Sequence, residues 1–221
     1  MEQGMQGKVI LVTGGAKRVG AAICRRLQAA GASVAIHYRS SEQEARALQD
    51  ELNALRPNSA TVFQADLLDL NALPQLVHAV IKKFGRLDAL VNNASSFYAT
   101  ALADIDEQQW RDLLGTNLKA PLFLAQAAAD ELRRRHGCIV NITDIHAERP
   151  MHEHLLYSVA KAGLVALTNA LAQEMAPQVR VNAVSPGVIV WPESEAWMDE
   201  EQRRKIEIGR ASCRERVSDY V

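Results

Sequence analysis

The chain alternates short apolar runs with longer stretches of helical periodicity. The first run, Val9–Val12, is apolar at every position, as expected of a strand buried on both faces. Later strands are predicted at residues 33–37, 61–64, 89–91, 138–141 and 179–184. Helices are predicted between them at 19–30, 42–56, 70–84, 106–135 and 155–176. This order predicts an α/β fold with a doubly wound parallel sheet, Rossmann-type, in three αβα layers.

Composition limits the functions that the chain can have. With 221 residues, 48% of them apolar, it can bury one substantial core, so a single domain is expected. The 25 basic and 26 acidic residues nearly cancel, which argues against nucleic acid or an anionic membrane as partner. Cys24, Cys138 and Cys213 lack disulfide or metal-ligand spacing, so we expect no metal site. The polar start, without a signal-like segment, predicts a soluble cytoplasmic protein.

A glycine-containing segment follows the first strand directly. It reads Thr-Gly-Gly-Ala-Lys-Arg-Val-Gly from Thr13 to Gly20 and leads into a helix. Glycines let the backbone approach a pyrophosphate at a helix amino terminus, so this segment is predicted to bind a dinucleotide. The alternative is an ordinary strand-to-helix loop, although its place after the first buried strand favours the dinucleotide site.

The end of the second strand predicts which dinucleotide binds. An acidic residue there would accept a hydrogen bond from a ribose 2′-hydroxyl, but the chain has His37, Tyr38, Arg39, Ser40 and Ser41. A guanidinium and hydroxyl groups suit a 2′-phosphate, which favours NADPH over NADH. The alternative is that Arg39 only solvates the start of a polar helix.

Tyr157 and Lys161 are four residues apart on a predicted helix and therefore share a face. The lysine ammonium is expected to lower the pKa of the phenol, which would let Tyr157 act as a general acid. Tyr-x-x-x-Lys pairs also occur on helix surfaces, so this pair indicates a catalytic site only in combination with the other motifs.

Those motifs together resemble the short-chain dehydrogenase/reductase family. They are Thr13 to Gly20, Asp66, the Asn92-Asn93-Ala94 segment, Asn117, Tyr157 with Lys161, and the Ser185-Pro186-Gly187 segment, in the family's order between residues 8 and 192. The resemblance implies that Asn117 helps to hold a proton-relay water near Lys161 and that Asp66 contacts the adenine. It implies a cofactor site formed by Gly14, Arg18, Val19, Gly20, His37, Tyr38, Arg39, Ser40, Asp66, Leu67, Asn93, Ala94, Ser95, Tyr157, Lys161, Pro186 and Gly187.

One position departs from the common family pattern. Thirteen residues before the tyrosine, where most members have serine, this chain has Asp144. Together with Arg18, the His37 to Ser40 segment, the Ser95-Ser96-Phe97-Tyr98 segment and the Val190-Trp191-Pro192-Glu193 segment, Asp144 resembles the pteridine reductase subfamily. The predicted catalytic residues are Asn117, Asp144, Tyr157 and Lys161.

The substrate site is predicted from this subfamily resemblance together with the chemistry of the residues. Phe97 offers a flat face for stacking a pterin, and Arg18 and Ser95 can hydrogen-bond its polar edge or the cofactor phosphates. Asp144 and Tyr157 would deliver a proton to a ring nitrogen while NADPH donates hydride. Alternatively, Phe97 packs into the core and Asp144 caps a helix or turn. His146, His152 and His154 are interpreted as solvated loop residues.

The carboxyl-terminal segment departs from the family. Family members continue through a further crossover to a last parallel strand, for which this chain is too short. Residues 207–217 resemble translated sequencing-adapter DNA, so the native domain is predicted to span 1–206 and a non-native tail 207–221. A divergent charged tail is the alternative. Without the last strand, the strand at 179–184 would be an uncovered apolar edge.

The sequence thus predicts an NADPH-dependent pterin reductase, acting on a dihydrobiopterin or dihydrofolate-like substrate. The resemblance implies a homotetramer if the carboxyl terminus were complete. The same Tyr157 and Lys161 pair would also serve a general carbonyl reductase acting on 3-oxoacyl thioesters or sugar ketones. A third hypothesis is an inactive, truncated fragment that binds NADP without turnover.

Overall fold

A computed structural model describes residues 4–187 of the chain. The chain divides into a compact unit, Met1–Pro186, and a second unit, Gly187–Val221. The second unit lies outside the described residues apart from Gly187. The predicted domain boundary at residue 206 and the predicted tail at 207–221 fall there too, so both remain predictions.

The compact unit contains six strands and six α-helices that alternate. The strands are β1 (Val9–Val12), β2 (Ser33–Tyr38), β3 (Ala60–Gln64), β4 (Ala89–Asn92), β5 (Cys138–Ile142) and β6 (Arg180–Val184). The helices are α1 (Arg18–Ala29), α2 (Glu42–Leu55), α3 (Ala72–Phe84), α4 (Glu107–Leu114), α5 (Ala120–Arg135) and α6 (Leu155–Glu174). The predicted elements are confirmed, with most boundaries shifted by one or two residues.

All six strands are parallel and form one sheet in the order β3-β2-β1-β4-β5-β6. The order reverses direction between β1 and β4, which is the place where open α/β sheets bind ligands. Within the described residues β6 is an edge strand, and its Val184 is half exposed. The predicted Rossmann-type αβα fold is therefore confirmed.

Successive residues of the central strands point to opposite faces of the sheet, and each face is covered by helices. Ile10 and Val12 join an apolar cluster with Cys24 of α1 and Leu48 of α2. Leu11 joins the cluster on the other face, with α3 and α5. The continuous apolar run of β1 is explained by this burial on both faces.

The helix predicted at 106–135 is interrupted. It consists of α4, a π-helical segment at Gly115–Lys119, and α5. Pro121 has no N–H with which to bond the carbonyl four residues earlier, that of Asn117, so the regular α-helical pattern cannot continue there. The predicted helical stretch is confirmed, and the π-helical segment within it is a feature that the sequence pattern did not predict.

Among the described helices, α6 is long and apolar enough to cross a bilayer, with a mean hydropathy of 1.4 over its most apolar window. In the fold it packs against β6 and α4. It also carries the buried side chains of Tyr157 and Lys161. This largely apolar helix therefore places two buried polar side chains near the end of the sheet.

Candidate active site

Parallel strands bring their carboxyl ends to one edge of the sheet, and the predicted site residues follow those ends. Gly14 follows β1, Arg39 follows β2 and Asp66 follows β3. Asn93 follows β4, and Asp144 follows β5. Residues that are far apart in the sequence are therefore placed along one edge of the molecule.

Thr13 and Asn93 join the glycine segment to the loop after β4. The Thr13 hydroxyl accepts hydrogen bonds from the N–H groups of Asn93, at 2.9 Å, and Ala94, at 3.0 Å. The Asn93 amide donates to the carbonyls of Thr13, at 2.9 Å, and Gly14, at 3.0 Å. Gly14 has φ +60°, and a Cβ there would lie 2.9 Å from Ala94 Cα. Glycine is required at this position because of both the backbone conformation and the close approach.

The amino terminus of α1 has the properties of an anion site. Its N-cap, Lys17, makes no side-chain capping hydrogen bond. The first turn of the helix, which the structure describes in full, contains no acidic residue. Arg18, with φ +48°, Val19 and Gly20 form that first turn. The positive end of a helix dipole stabilises phosphate groups, and no carboxylate of the helix offsets it. The glycine segment therefore fits a dinucleotide pyrophosphate.

Two residues of the predicted cofactor site, His37 and Tyr38, have buried side chains at the end of β2. His37 is 2% exposed, and both of its ring nitrogens are bonded within the protein. Tyr38 is 5% exposed and packs in the apolar cluster that contains α1 and α2. Their assignment to the cofactor site remains a prediction.

Arg39 and Ser40 are exposed beyond the end of β2, where a 2′-phosphate could reach them. A guanidinium nitrogen of Arg39 lies 3.9 Å from a carboxylate oxygen of Asp112 in α4. After β3, the exposed Asp66 accepts the Leu68 N–H at 3.0 Å, while the Leu67 side chain is buried in the core. The nucleotide end of the site therefore combines exposed polar groups with a buried apolar support.

Asp144 joins β5 to the helix that carries the tyrosine. One of its carboxylate oxygens accepts the Tyr157 hydroxyl at 2.7 Å. The other accepts the N–H of His146 at 2.9 Å, which caps the short helix Ile145–Ala147. The two interpretations of Asp144, as a cap and as a partner of the tyrosine, thus describe its two oxygens.

The expected effect of the lysine on the tyrosine is corrected. Burial and the hydrogen bond to Asp144 raise the pKa of Tyr157 well above its usual range, with Ser95 opposing the shift. The Lys161 ammonium donates to the Ile142 carbonyl at 2.8 Å and lies 5.6 Å from the centre of the tyrosine ring. Burial lowers the pKa of Lys161 to about 8, and Asp144 opposes that shift. Because the carboxylate accepts the phenol proton, Tyr157 is held in its protonated form.

Asn117 lies in the π-helical segment and is 1% exposed. Its side-chain carbonyl accepts the Ser95 hydroxyl at 2.6 Å, and its amide donates to the carbonyls of Ser96 and Leu113, each at 2.9 Å. The side chain therefore connects this helix to the loop after β4. Ser95, which also interacts with Tyr157, links Asn117 to the tyrosine.

Phe97 is 46% exposed and has two aromatic neighbours. Its ring stacks on His154, with centres 4.7 Å apart and an angle of 20° between the planes. Its other neighbour is the Tyr157 ring, 4.8 Å away and nearly perpendicular. The interpretation of His154 as a solvated loop residue is wrong, because it supports Phe97. His154 and Tyr157 are three residues apart, about one helical turn. This spacing could have predicted that the two rings lie on the same side of the helix, where both contact Phe97.

Two other residues lie near the site in roles that the sequence did not predict. Asn92 is buried in β4, and its amide donates to the Asn141 side chain at 2.8 Å, so it joins strands β4 and β5. Thr143 lies 2.7 Å from the Ser185 hydroxyl and fixes the start of the segment after β6. Pro186 and Gly187, both predicted to contact the cofactor, follow there, and Gly187 is the last described residue.

Within residues 4–187, His, Cys, Asp and Glu side chains form no group of three or more that could hold a metal ion. The polar groups of Tyr157, Lys161, Asp144 and Asn117 are a phenol, an amine, a carboxylate and an amide. These groups surround the end of β5 and the start of α6, beside the glycine segment of β1.

Comparison with known proteins agrees with this arrangement. A pteridine reductase 1 from Leishmania tarentolae is 39% identical over 254 residues, covering 96% of this chain and 88% of that protein. A 3-oxoacyl-(acyl-carrier-protein) reductase from Staphylococcus aureus is 35% identical over 195 residues, covering 87% and 79%. An uncharacterized oxidoreductase from Methylorubrum extorquens is 37% identical over 187 residues, covering 84% and 75%.

The family model of the short chain dehydrogenases matches residues 8–202, which include every strand and helix described above. The matched region covers at least 75% of the length of each of these three relatives, and all three are named as reductases or oxidoreductases. From its fold, the matching family model and these relatives, the chain belongs to the short-chain dehydrogenase family and is an oxidoreductase.

Proposed function

We propose that this protein is an NADPH-dependent pteridine reductase that transfers hydride to a ring C=N bond of a dihydrobiopterin or dihydrofolate-like substrate. The observation that carries the proposal is the 2.7 Å hydrogen bond between Asp144 and Tyr157 beside the exposed ring of Phe97. A carboxylate at this position and the pteridine reductase relative both support a pterin.

The nucleotide would bind along the carboxyl edge of β1 and β2. The glycine segment and the uncapped start of α1 fit its pyrophosphate, and exposed Arg39 and Ser40 fit a 2′-phosphate. Asp66, Asn93, Ala94, Pro186 and Gly187 complete the proposed site. When bound, NADPH supplies the hydride.

Tyr157 is the proposed proton donor. Its raised pKa keeps the phenol protonated at neutral pH, as a general acid requires. Asp144 accepts the hydrogen bond of the Tyr157 hydroxyl and so orients the phenol that donates its proton to the ring nitrogen. Lys161 places a positive charge beside the tyrosine, which stabilises the negative charge that develops on the phenol oxygen. Asn117 fixes Ser95 and, through it, the loop that carries Phe97.

The proposed substrate contacts follow from donor and acceptor chemistry. A pterin has N–H donors along its edge, and the carboxyl oxygens of Asp144 can accept hydrogen bonds from them. Phe97 is available for stacking, but His154 already covers part of it, so the pterin would use the remaining face or edge. Ser95 and Arg18 would contact the polar edge of the ring.

A general carbonyl reductase is the second candidate, because a 3-oxoacyl-(acyl-carrier-protein) reductase is also a relative. Tyr157 and Lys161 would suffice for a ketone, whose oxygen accepts a proton. The carbonyl group of a ketone has no N–H that Asp144 could accept. This candidate therefore gives Asp144 no hydrogen bond to the reacting group of the substrate. A protein that binds NADPH without turnover is the third outcome to test.

The test is substrate-dependent oxidation of NADPH, followed by absorbance, with dihydrobiopterin, dihydrofolate, a 3-oxoacyl thioester and a sugar ketone. We expect kcat/KM to be highest for a pterin, by about tenfold or more. Preference for a ketone would support the carbonyl reductase, and binding of NADPH without turnover of any substrate would support the inactive fragment.

We further propose that the protein is cytoplasmic and, under the condition on its carboxyl terminus stated with the family resemblance, homotetrameric. Light scattering coupled to size-exclusion chromatography measures the mass in solution. A mass of one or two chains, for a protein that is otherwise folded, would count against the tetramer.

A further inference from the structure

His37, at the end of β2, holds two consecutive amides of the glycine segment. The Gly14 N–H donates to the imidazole Nδ1 at 3.1 Å. The Gly15 N–H donates to the backbone carbonyl of the same histidine at 2.9 Å. One residue of β2 therefore accepts from both amides at the point where the chain leaves β1.

The second ring nitrogen connects the histidine to the next strand. Nε2 lies 3.1 Å from the carbonyl oxygen of Ala65, directly after β3. Because the Gly14 amide is a donor, Nδ1 must be the acceptor and Nε2 must carry the proton that it donates to Ala65. Only a neutral imidazole in this one tautomer makes both contacts. Burial lowers the pKa of His37 to about 4, against the opposing effects of Ala65 and Asp66, which agrees with a neutral ring.

The carbonyl of Gly14 is held from the loop after β4. The Asn93 side chain donates to the Gly14 carbonyl at 3.0 Å. A Cβ at Gly20 would overlap that same carbonyl oxygen, so the start of α1 also packs directly on it. Gly14 thus has its N–H bonded to His37 and its carbonyl bonded to Asn93, and we expect a shift of either partner to move the first turn of α1.

We propose that His37 is a positioning residue for the nucleotide, which acts by accepting the Gly14 N–H through Nδ1 and so fixes the glycine segment against which the pyrophosphate binds. The inference rests on the proposed function in that it takes this segment as the cofactor site. The residue acts from inside the protein, through the backbone that it holds.

Two substitutions separate the two ring contacts. In His37→Asn, the side-chain oxygen can occupy the place of Nδ1 and accept the Gly14 N–H, while the contact to Ala65 is lost. In His37→Gln, the longer side chain can place its amide near Nε2 and donate to Ala65, while the Gly14 N–H loses its acceptor. Each variant keeps one contact, so both are expected to lose thermal stability.

The first measurement is the Kd for NADPH by calorimetry, together with the melting temperature of each variant. We expect His37→Asn to bind NADPH nearly as well as the unaltered protein and His37→Gln to bind about tenfold or more weakly, as for an unsatisfied buried N–H. Equal affinity in all three proteins would overturn the proposal. So would a loss of affinity in both variants that follows their melting temperatures, because that is the pattern of a general structural role.

The second measurement is hydrogen exchange at the Gly14 amide without nucleotide. The proposal predicts faster exchange in His37→Gln, by about tenfold or more, and little change in His37→Asn. Unchanged exchange in His37→Gln would overturn it. If the unaltered protein failed to bind NADPH, the proposed function would fail, while this exchange would still decide whether His37 holds the segment.

Discussion

Asp144 is the residue that gives this site its particular chemistry. It uses one oxygen to cap a short helix and the other to accept the tyrosine hydroxyl. The first contact fixes the carboxylate, and the second raises the pKa of Tyr157. A serine at this position could donate to a carbonyl oxygen, whereas an ionised aspartate cannot. We therefore propose that aspartate in place of serine changes which substrates the same tyrosine can protonate.

Tyr157→Phe removes the proposed proton donor and keeps the aromatic contact with Phe97. We expect kcat to fall by about a hundredfold or more, since general acid catalysis contributes at least that factor. The Kd for NADPH, measured by calorimetry on the same preparation, should remain nearly unchanged. Undiminished turnover would remove Tyr157 from the mechanism.

Arg39→Asp tests the choice of nucleotide. A carboxylate repels a 2′-phosphate and can accept a hydrogen bond from a 2′-hydroxyl, so the preference should shift from NADPH towards NADH. The measurement is the ratio of kcat/KM for the two nucleotides, and we expect it to change by about tenfold or more. Arg46→Asp provides a control, because Arg46 pairs with Glu42 on the exposed surface of α2. An unchanged ratio in Arg39→Asp would contradict the assignment.

At the scale of elements, the interruption between α4 and α5 matters most for the site. The π-helical segment places Asn117 where it contacts Ser95 and Ser96. The sequence predicted one helical stretch but not the π-helical segment within it, because proline is tolerated in the first turn of a helix and does not by itself show that a helix ends there. Local packing, which the sequence pattern does not contain, decides how the chain passes Pro121.

Pro121→Ala restores an N–H that can bond the Asn117 carbonyl in a regular helix. We expect the substitution to preserve or increase the melting temperature and to lower kcat by about tenfold or more, because Asn117 would turn away from Ser95. Circular dichroism during heating and steady-state kinetics measure the two effects. Unchanged kcat with unchanged stability would show that the interruption does not depend on the missing N–H.

At the scale of the whole molecule, much of the fold was predictable from the sequence. Apolar runs as short as β1 identify buried parallel strands, and the position of each motif after a strand predicts that the motifs meet at one edge. The electrostatics were not predictable in the same way. The pKa of Tyr157 depends on burial and on Asp144, thirteen residues away. The tautomer of His37 depends on contacts with residues that follow β1 and β3, which only the folded sheet creates.

The buried neutral His37 predicts how global stability depends on pH. Its folded pKa of about 4 lies below the ordinary value of 6.5, so its contribution is complete above about pH 6.5 and is lost as the pH falls towards 4. From about pH 7.5 to about pH 5, the free energy of unfolding should fall by about 2 kcal/mol from this group. Urea unfolding of the protein and of His37→Asn measures the difference. Parallel pH profiles would contradict a buried neutral His37.

The central claim is that Asp144 directs a common family mechanism towards pterins. Its most direct test is the ratio of kcat/KM for dihydrobiopterin to that for a 3-oxoacyl thioester, in the unaltered protein and in Asp144→Ser. We expect a ratio above one in the unaltered protein and a fall of about tenfold or more in Asp144→Ser. A ratio below one at the start, or the same ratio in both proteins, would contradict the assignment of Asp144 as the residue that selects the substrate.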